Sequence, residues 1–261
     1  MTTRQKDRFV RIIGNPRIAI AALVIATCGA TLSHAADKAG TAADAMLLPP
    51  NGQVDGETFG MLTARWWQWS EHLPIAPFLD PDGRLCELGQ EGAVWFLAGT
   101  DGTFNARREC VIPTGRHILV PIINMRYSNV RRHGTDALPI PCKVLQQSAA
   151  VNNERLGSAV ALIDGVRVTD VARYRVRSDG CFPLVADDET SPSTAADGYW
   201  LLIKPLAPGR HTLTIGANYA ADDDGYGRMV QNFEYVLHVG GRTEMASRPS
   251  GLDGPLVAGV R

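Results

Sequence analysis

From Gly92 to Gly241 the chain is a succession of short β-prone runs, each stopped by Gly, Pro or Asp: "GAVWFLAGT", "ECVIPTGRHILVPIIN", "SAVALIDGVRVTDVARYRVRS", "GYWLLIKPL", "GRHTLTIGANY" and "QNFEYVLHVGG". Runs of this length, rich in Val, Ile and Tyr and bounded by turn formers, fold as the strands of a sandwich or barrel. Asp164-Gly165, inside "ALIDGVRV", is the pair that a two-residue type I′ hairpin turn prefers. Helical and strand segments do not alternate, which disfavours a doubly wound α/β fold; only "PCKVLQQSAAVNNERLG" reads as a short inserted helix. The expected fold is all-β, a jelly-roll-like antiparallel β-sandwich.

Ahead of the strands lies one amphipathic helix. From Glu57 to His72, the residues Phe59, Leu62, Trp66 and Trp69, then Leu73, recur at spacings of three and four. Trp66 and Trp69 therefore belong to a buried stripe. Trp67 lies off it, beside Thr63, Ser70 and Glu71, and either packs under another element or faces a partner. Pro74 and Pro77 end the helix.

The chain opens with Arg4, Lys6, Arg8, Arg11 and Arg17, an apolar run from Ile18 to about Ala30, and "SHA" before Ala36. This is the pattern of a secretory signal peptide cleaved after Ala35, and the run is short for a membrane span. A lipoprotein signal at Cys28 is the rival, but Thr27 occupies a position where a smaller residue is expected. Residues 36–56 are expected to be a flexible leader, 57–240 the sandwich with its helix, and 241–261 a loose tail rich in Gly and Pro.

After cleavage the chain carries a net charge of about −5, the wrong sign for a nucleic-acid binder, and no apolar segment long enough to span a membrane. Four cysteines remain, Cys86, Cys110, Cys142 and Cys181. An even number in an exported chain argues for two disulfides, with three pairings open. Cys86–Cys110 with Cys142–Cys181 is favoured, because the first pair brackets one strand–turn–strand unit.

No nucleophile elbow, phosphate-binding loop, dinucleotide fingerprint or zinc-binding HExxH occurs, and no cofactor is implied. "IPTGRHILV" and "LAPGRHTLT" repeat a turn followed by a strand, placing His117 and His211 at equivalent strand starts; the alternatives are a pair of ligands or two ordinary core or turn histidines. Asp222 to Asp224 invite calcium but lack the alternating acids of an EF-hand, so a solvated loop is the simpler account. Tyr199 and Trp200 point to opposite faces of one strand, and with Trp67 they offer rings on which sugars stack.

The residues "WWQW", Cys86, Gln90, Trp95, Phe96, Gly99, Cys110, Pro113, Gly115 and Asn124, in that order, resemble a family of uncharacterised exported proteobacterial proteins, with a weaker likeness through "DGYWLLIKPLAPGRHTLTI". The resemblance implies export, disulfides and a β-rich body; it carries no catalytic residues. The leading functional expectation is a non-catalytic binding protein for a carbohydrate or other small cell-envelope ligand, with Trp67, Tyr199, Trp200, Arg108, His117, Asn124 and His211 as candidate ligand-binding residues. The alternatives are a secreted hydrolase or lyase, with Arg108, His117, Asn124 and His211 meeting in a cleft between sheets, and a structural or assembly subunit.

Overall fold

The computed structural model describes residues 40–129, 139–188, 190–220 and 225–242. The expected signal peptide, the Asp222 to Asp224 loop and all but the first residues of the expected tail lie outside them. Each of the six strand-like runs contains strand. The strands of the sandwich are β3 (Val94–Phe96), β4 (Ala106–Ile112), β5 (His117–Ser128), β6 (Leu156–Ile163), β7 (Val166–Arg167), β8 (Arg175–Arg177), β9 (Phe182–Pro183), β10 (Ser193–Ile203), β11 (Gly209–Tyr219) and β12 (Val230–Val239), of which β9 alone falls outside those runs. They form two five-stranded sheets. Sheet I runs β3-β5-β10-β8, with β9 also on β10, and sheet II runs β4-β12-β11-β6-β7.

Most pairings are antiparallel, but β3 with β5 and β4 with β12 are parallel, so the sheets are mixed. The cause is the path of the chain. Residues 97–105 cross from sheet I to sheet II, and the turn at Gly115, whose φ of 79° suits glycine, returns the chain to sheet I. With the single strand β4 between them on the opposite sheet, β3 and β5 run in the same direction.

The main core lies between the sheets and includes Ile118, Ile122, Tyr199, Leu201, Leu213, Phe233 and Leu237. A second core lies on the far side of sheet I. There helix α2 (Phe59–His72) places Phe59, Leu62, Trp66, Trp67 and Trp69 against Phe96, Leu119, Trp200 and Leu202. Thr58 caps α2 by accepting from the Met61 N–H at 3.1 Å. Helix α3 (Cys142–Ala150) is the inserted helix expected from sequence. The cysteines pair as favoured, with Cα separations of 5.9 Å for Cys86–Cys110 and 5.6 Å for Cys142–Cys181.

Two local features bear on the sequence reading. The hairpin of β6 and β7 turns at Asp164 and Gly165 with φ of 51° and 76°, as a type I′ turn requires. The segment expected as a leader is structured from Gly40 onward, with a short helix α1 (Ala42–Ala45) and a hairpin of β1 (Gln53–Val54) and β2 (Glu57–Thr58) around Asp55-Gly56. It is held to the body by Leu48 N donating to Leu202 O at 2.8 Å and Lys204 N donating to Met46 O at 2.8 Å. Burial of Leu47 and of Val54, 4 % exposed each, supplies the apolar gain that offsets ordering this Ala-rich stretch.

Candidate functional site

A bulge sets the site. Along β5, Ile118, Val120 and Ile122 face the inter-sheet core while Leu119 faces α2. Between Tyr199 and Trp200 of β10 the register slips, pairing Tyr199 with Ile123 and Trp200 with Pro121, so Ile122 is the extra residue. Beyond it the alternation is inverted: Ile123 and Met125 pack on the inter-sheet core, and Asn124 and Arg126 fall on the α2 side. Asn124 lies opposite Gly198, where a Cβ would come within 2.5 Å of the Asn124 Cβ, so only glycine leaves room for the amide.

Asn124 and Arg126 meet Trp67 there. The Trp67 ring stands edge-on to Trp66, centroids 4.9 Å apart, and the Trp66 indole N–H donates to Leu97 O at 2.8 Å, anchoring the helix to the start of the crossing loop. The Arg126 guanidinium lies 5.3 Å from the centroid of Trp67, donates to Glu71 Oε1 at 2.7 Å and to Ser128 Oγ at 2.9 Å, and so forms a strap over the ring. Glu71, four residues after Trp67, sits one turn further along α2.

Beside this strap lies a cavity of about 270 Å³. Trp66, Trp67 and Phe78 line it from one direction, Asn124, Met125 and Arg126 from β5, Gly99, Thr100 and Asp101 from the crossing loop, and Met229 from the entry to β12. Most of its polar groups are already engaged: Asp101 Oδ1 accepts from Thr103 N at 2.9 Å and Oγ1 at 2.7 Å, and Thr100 N donates to Gln231 Oε1 at 3.1 Å. Two are not. Trp67 Nε1 and Asn124 Nδ2 are buried without a hydrogen-bond partner among the described residues.

The other candidates do not join them. Tyr199 and Trp200 are both buried, 6 % and 0 % exposed, because sheet I is covered on both faces; no outward aromatic strip forms, and the Tyr199 hydroxyl donates to Asn153 O at 2.8 Å. Arg108 does lie between the sheets, but as a clamp. Its Nε donates to Asp80 O at 2.7 Å and its Nη1 to Ala98 O and Gly99 O at 2.8 Å and to the Tyr235 hydroxyl at 2.9 Å, tying the crossing loop to β12. Burial disfavours a charge on nearby Asp80, yet backbone donors from Leu85, Gly83 and Asp82, with the charge of Arg108, outweigh it and hold the carboxyl below its usual value. Burial raises the pKa of the Tyr235 hydroxyl, which stays protonated and donates to Ala98 O at 2.8 Å.

The two histidines do not converge. His211 closes its own hairpin neighbourhood, with Nδ1 2.7 Å from Asp164 Oδ2 and Nε2 2.9 Å from Ala207 O. His117 opens β5 on the other sheet, and burial lowers its pKa, with Asp55 acting weakly the other way. Among the described residues no group of three His, Cys, Asp or Glu could hold a metal.

Of the residues singled out from the sequence, Trp67 and Asn124 line this cavity; Arg126, Met125, Asp101 and Met229 line it too and were not among them. Pro121 is the one signal in the apolar run "ILVPIINM": a proline within a strand marks an edge or a bulge, and the extra residue that selects Asn124 and Arg126 for the site directly follows it. Several residues that carry the family resemblance have structural roles instead. The Gln90 amide acts as a substitute strand at the edge of β3, accepting from Phe96 N at 2.9 Å and donating to Phe96 O at 2.8 Å. No family model, curated protein or solved structure matches the chain.

Proposed function

We propose that the protein is an exported, non-catalytic binding protein of the cell envelope, and that it holds a small ligand in the cavity between α2 and β5. The carrying observation is the meeting of Trp67, Asn124 and Arg126 around that cavity, with two buried donors unpaired. An unsatisfied buried donor costs about 1–3 kcal/mol, and a ligand acceptor reaching it recovers part of that cost. Two disulfides, and the lack of a membrane-crossing helix among the described residues, fit an exported protein. Binding is favoured over catalysis because Arg108 and His211 are separately engaged in the fold, and neither they nor His117 line the cavity that Asn124 lines. The test is thermal unfolding of the oxidised protein against a panel of small molecules, in which a ligand at about 100 times its Kd adds roughly 2.7 kcal/mol. The shift is expected to vanish in Met229→Trp, which fills the cavity; a shift that survives the filling places the ligand elsewhere.

A second reading has its own observation. The outer face of sheet II forms an open groove over Gly216, lined by Asn105, Ser158, Thr214, Asn218 and Asn232, whose side chains make no hydrogen bond among the described residues. Amides and hydroxyls in both donor and acceptor roles are what a glycan needs, so carbohydrate binding, if present, belongs to this face. Asn218→Ala with Asn232→Ala would then abolish a sugar-induced shift that Met229→Trp leaves intact.

A further inference from the structure

We propose that the α2–β5 cavity takes a compact, uncharged, mainly apolar group, a fused or substituted aromatic ring of about ten heavy atoms bearing one hydrogen-bond acceptor; the inference rests on the binding reading above. Size sets the first limit. An apolar cavity of about 150 Å³ accommodates a benzene ring, so about 270 Å³ suits two fused rings and excludes an oligosaccharide.

Wall chemistry sets the second. Trp66, Trp67, Phe78, Met125 and Met229 bring aromatic rings and thioethers to the cavity lining, which favour flat, polarizable groups. Thr100 and Asp101 already spend hydrogen bonds within their own loop, with Thr100 Oγ1 accepting from Gly102 N at 3.3 Å. A sugar placed here would leave several hydroxyls unpaired, each a loss of about 1–3 kcal/mol.

Charge sets the third limit. Arg126 is paired with Glu71 at 2.7 Å, so an incoming anion gains little from Arg126 and meets the carboxylate of Asp101. A cation meets the guanidinium already seated over Trp67. Both signs are disfavoured. The fully buried groups of the lining residues that lack a partner among the described residues, Trp67 Nε1 and Asn124 Nδ2, are both donors, so the polar atom of the ligand that meets them is an acceptor.

The experiment titrates the oxidised protein with four probes at neutral pH: quinoline, naphthalene, 2-naphthoate and N-acetylglucosamine. Binding is read from the indole N–H resonance of Trp67, identified by its loss in Trp67→Phe. Quinoline is expected to bind at least tenfold more tightly than 2-naphthoate or the sugar, and more tightly than naphthalene. Asn124→Ala should erase the preference for quinoline over naphthalene while leaving naphthalene binding in place, and Met229→Trp should weaken both at least tenfold. Tighter binding of the naphthoate or the sugar at Trp67 would overturn the ligand class and leave the binding reading standing. A Trp67 resonance unmoved by every probe, in a protein whose spectrum shows it folded, would overturn both.

Discussion

The two sheets both contribute to the central core and differ in what lies behind them. Sheet I carries α2 on its outer face, and along β10 every residue from Thr194 to Ile203 is buried. Sheet II is bare on its outer face, and β4 and β12 alternate buried with exposed or half-buried positions. The same sandwich therefore offers two environments: a dry one, where packing fixes side chains and a cavity persists, and a wet one, where polar side chains stay free. A ligand with apolar surface finds its partner on the first and a glycan on the second.

The largest test of this contrast lies within one strand. Arg107 is exposed on the outer face of sheet II, and Arg108, 1 % exposed, faces inward. Arg108→Met strips donors from Asp80 O, Ala98 O, Gly99 O and the Tyr235 hydroxyl, and the expected loss by denaturant unfolding is about 3–5 kcal/mol. Arg107→Met should change stability by no more than about 0.5 kcal/mol. Equal effects would mean that the inward clamp contributes nothing beyond an ordinary surface residue.

Glycines sharpen the comparison at smaller scale. Gly198→Ala pushes a methyl group against Asn124 and should cost about 1–3 kcal/mol, together with loss of ligand binding at the cavity. At Gly216, on the wet face, the added Cβ meets only Asn232 Oδ1, at 3.1 Å, and the side chain can yield. Gly216→Ala should be neutral, or stabilising by up to about 1 kcal/mol, since it lowers the entropy of the unfolded chain. A larger loss at Gly216 would show that the outer face of sheet II is less open than its burial pattern implies.

The smallest expected effect is a pH dependence at His117. Its pKa is lowered in the folded state, chiefly by burial, so the unfolded chain binds the proton more readily. Stability is therefore complete above about 6.5 and declines as pH falls through that value towards the folded pKa. His117→Gln should flatten this part of the stability profile, measured by urea unfolding between pH 7 and pH 5, and leave in place the loss below about 3.8 that comes from protonating Asp80. An unchanged slope would assign the dependence to another group.

Much of the fold was legible because its signals are local. The spacing of Phe59, Leu62, Trp66 and Trp69 defines the helix, Asp164-Gly165 defines a hairpin through its backbone preference, and Gly and Pro mark the strand limits. The same rule applied to Asp55-Gly56 would have found the β1–β2 hairpin within the stretch read as a leader. Of the site, Trp67 was legible as a ring off the apolar stripe and Asn124 as an anchor of the resemblance. Arg126, Asp101 and Met229 were not, because they come from three distant parts of the chain and are brought together by a bulge and a crossing loop.

The sequence by itself determined the main element types and the short inserted helix, which follow from residue periodicity and turn propensity, and it favoured one of three cysteine pairings without deciding among them. Tertiary structure alone decided which faces are wet. Tyr199 and Trp200 alternate along β10 as any strand residues do, yet both are buried, because α2 covers the face that alternation would have left to solvent. It also decided the parity of β5, where one extra residue exchanges the inward and outward sets. Burial and register are set by what packs across a sheet, and that information lies in no single segment of the chain.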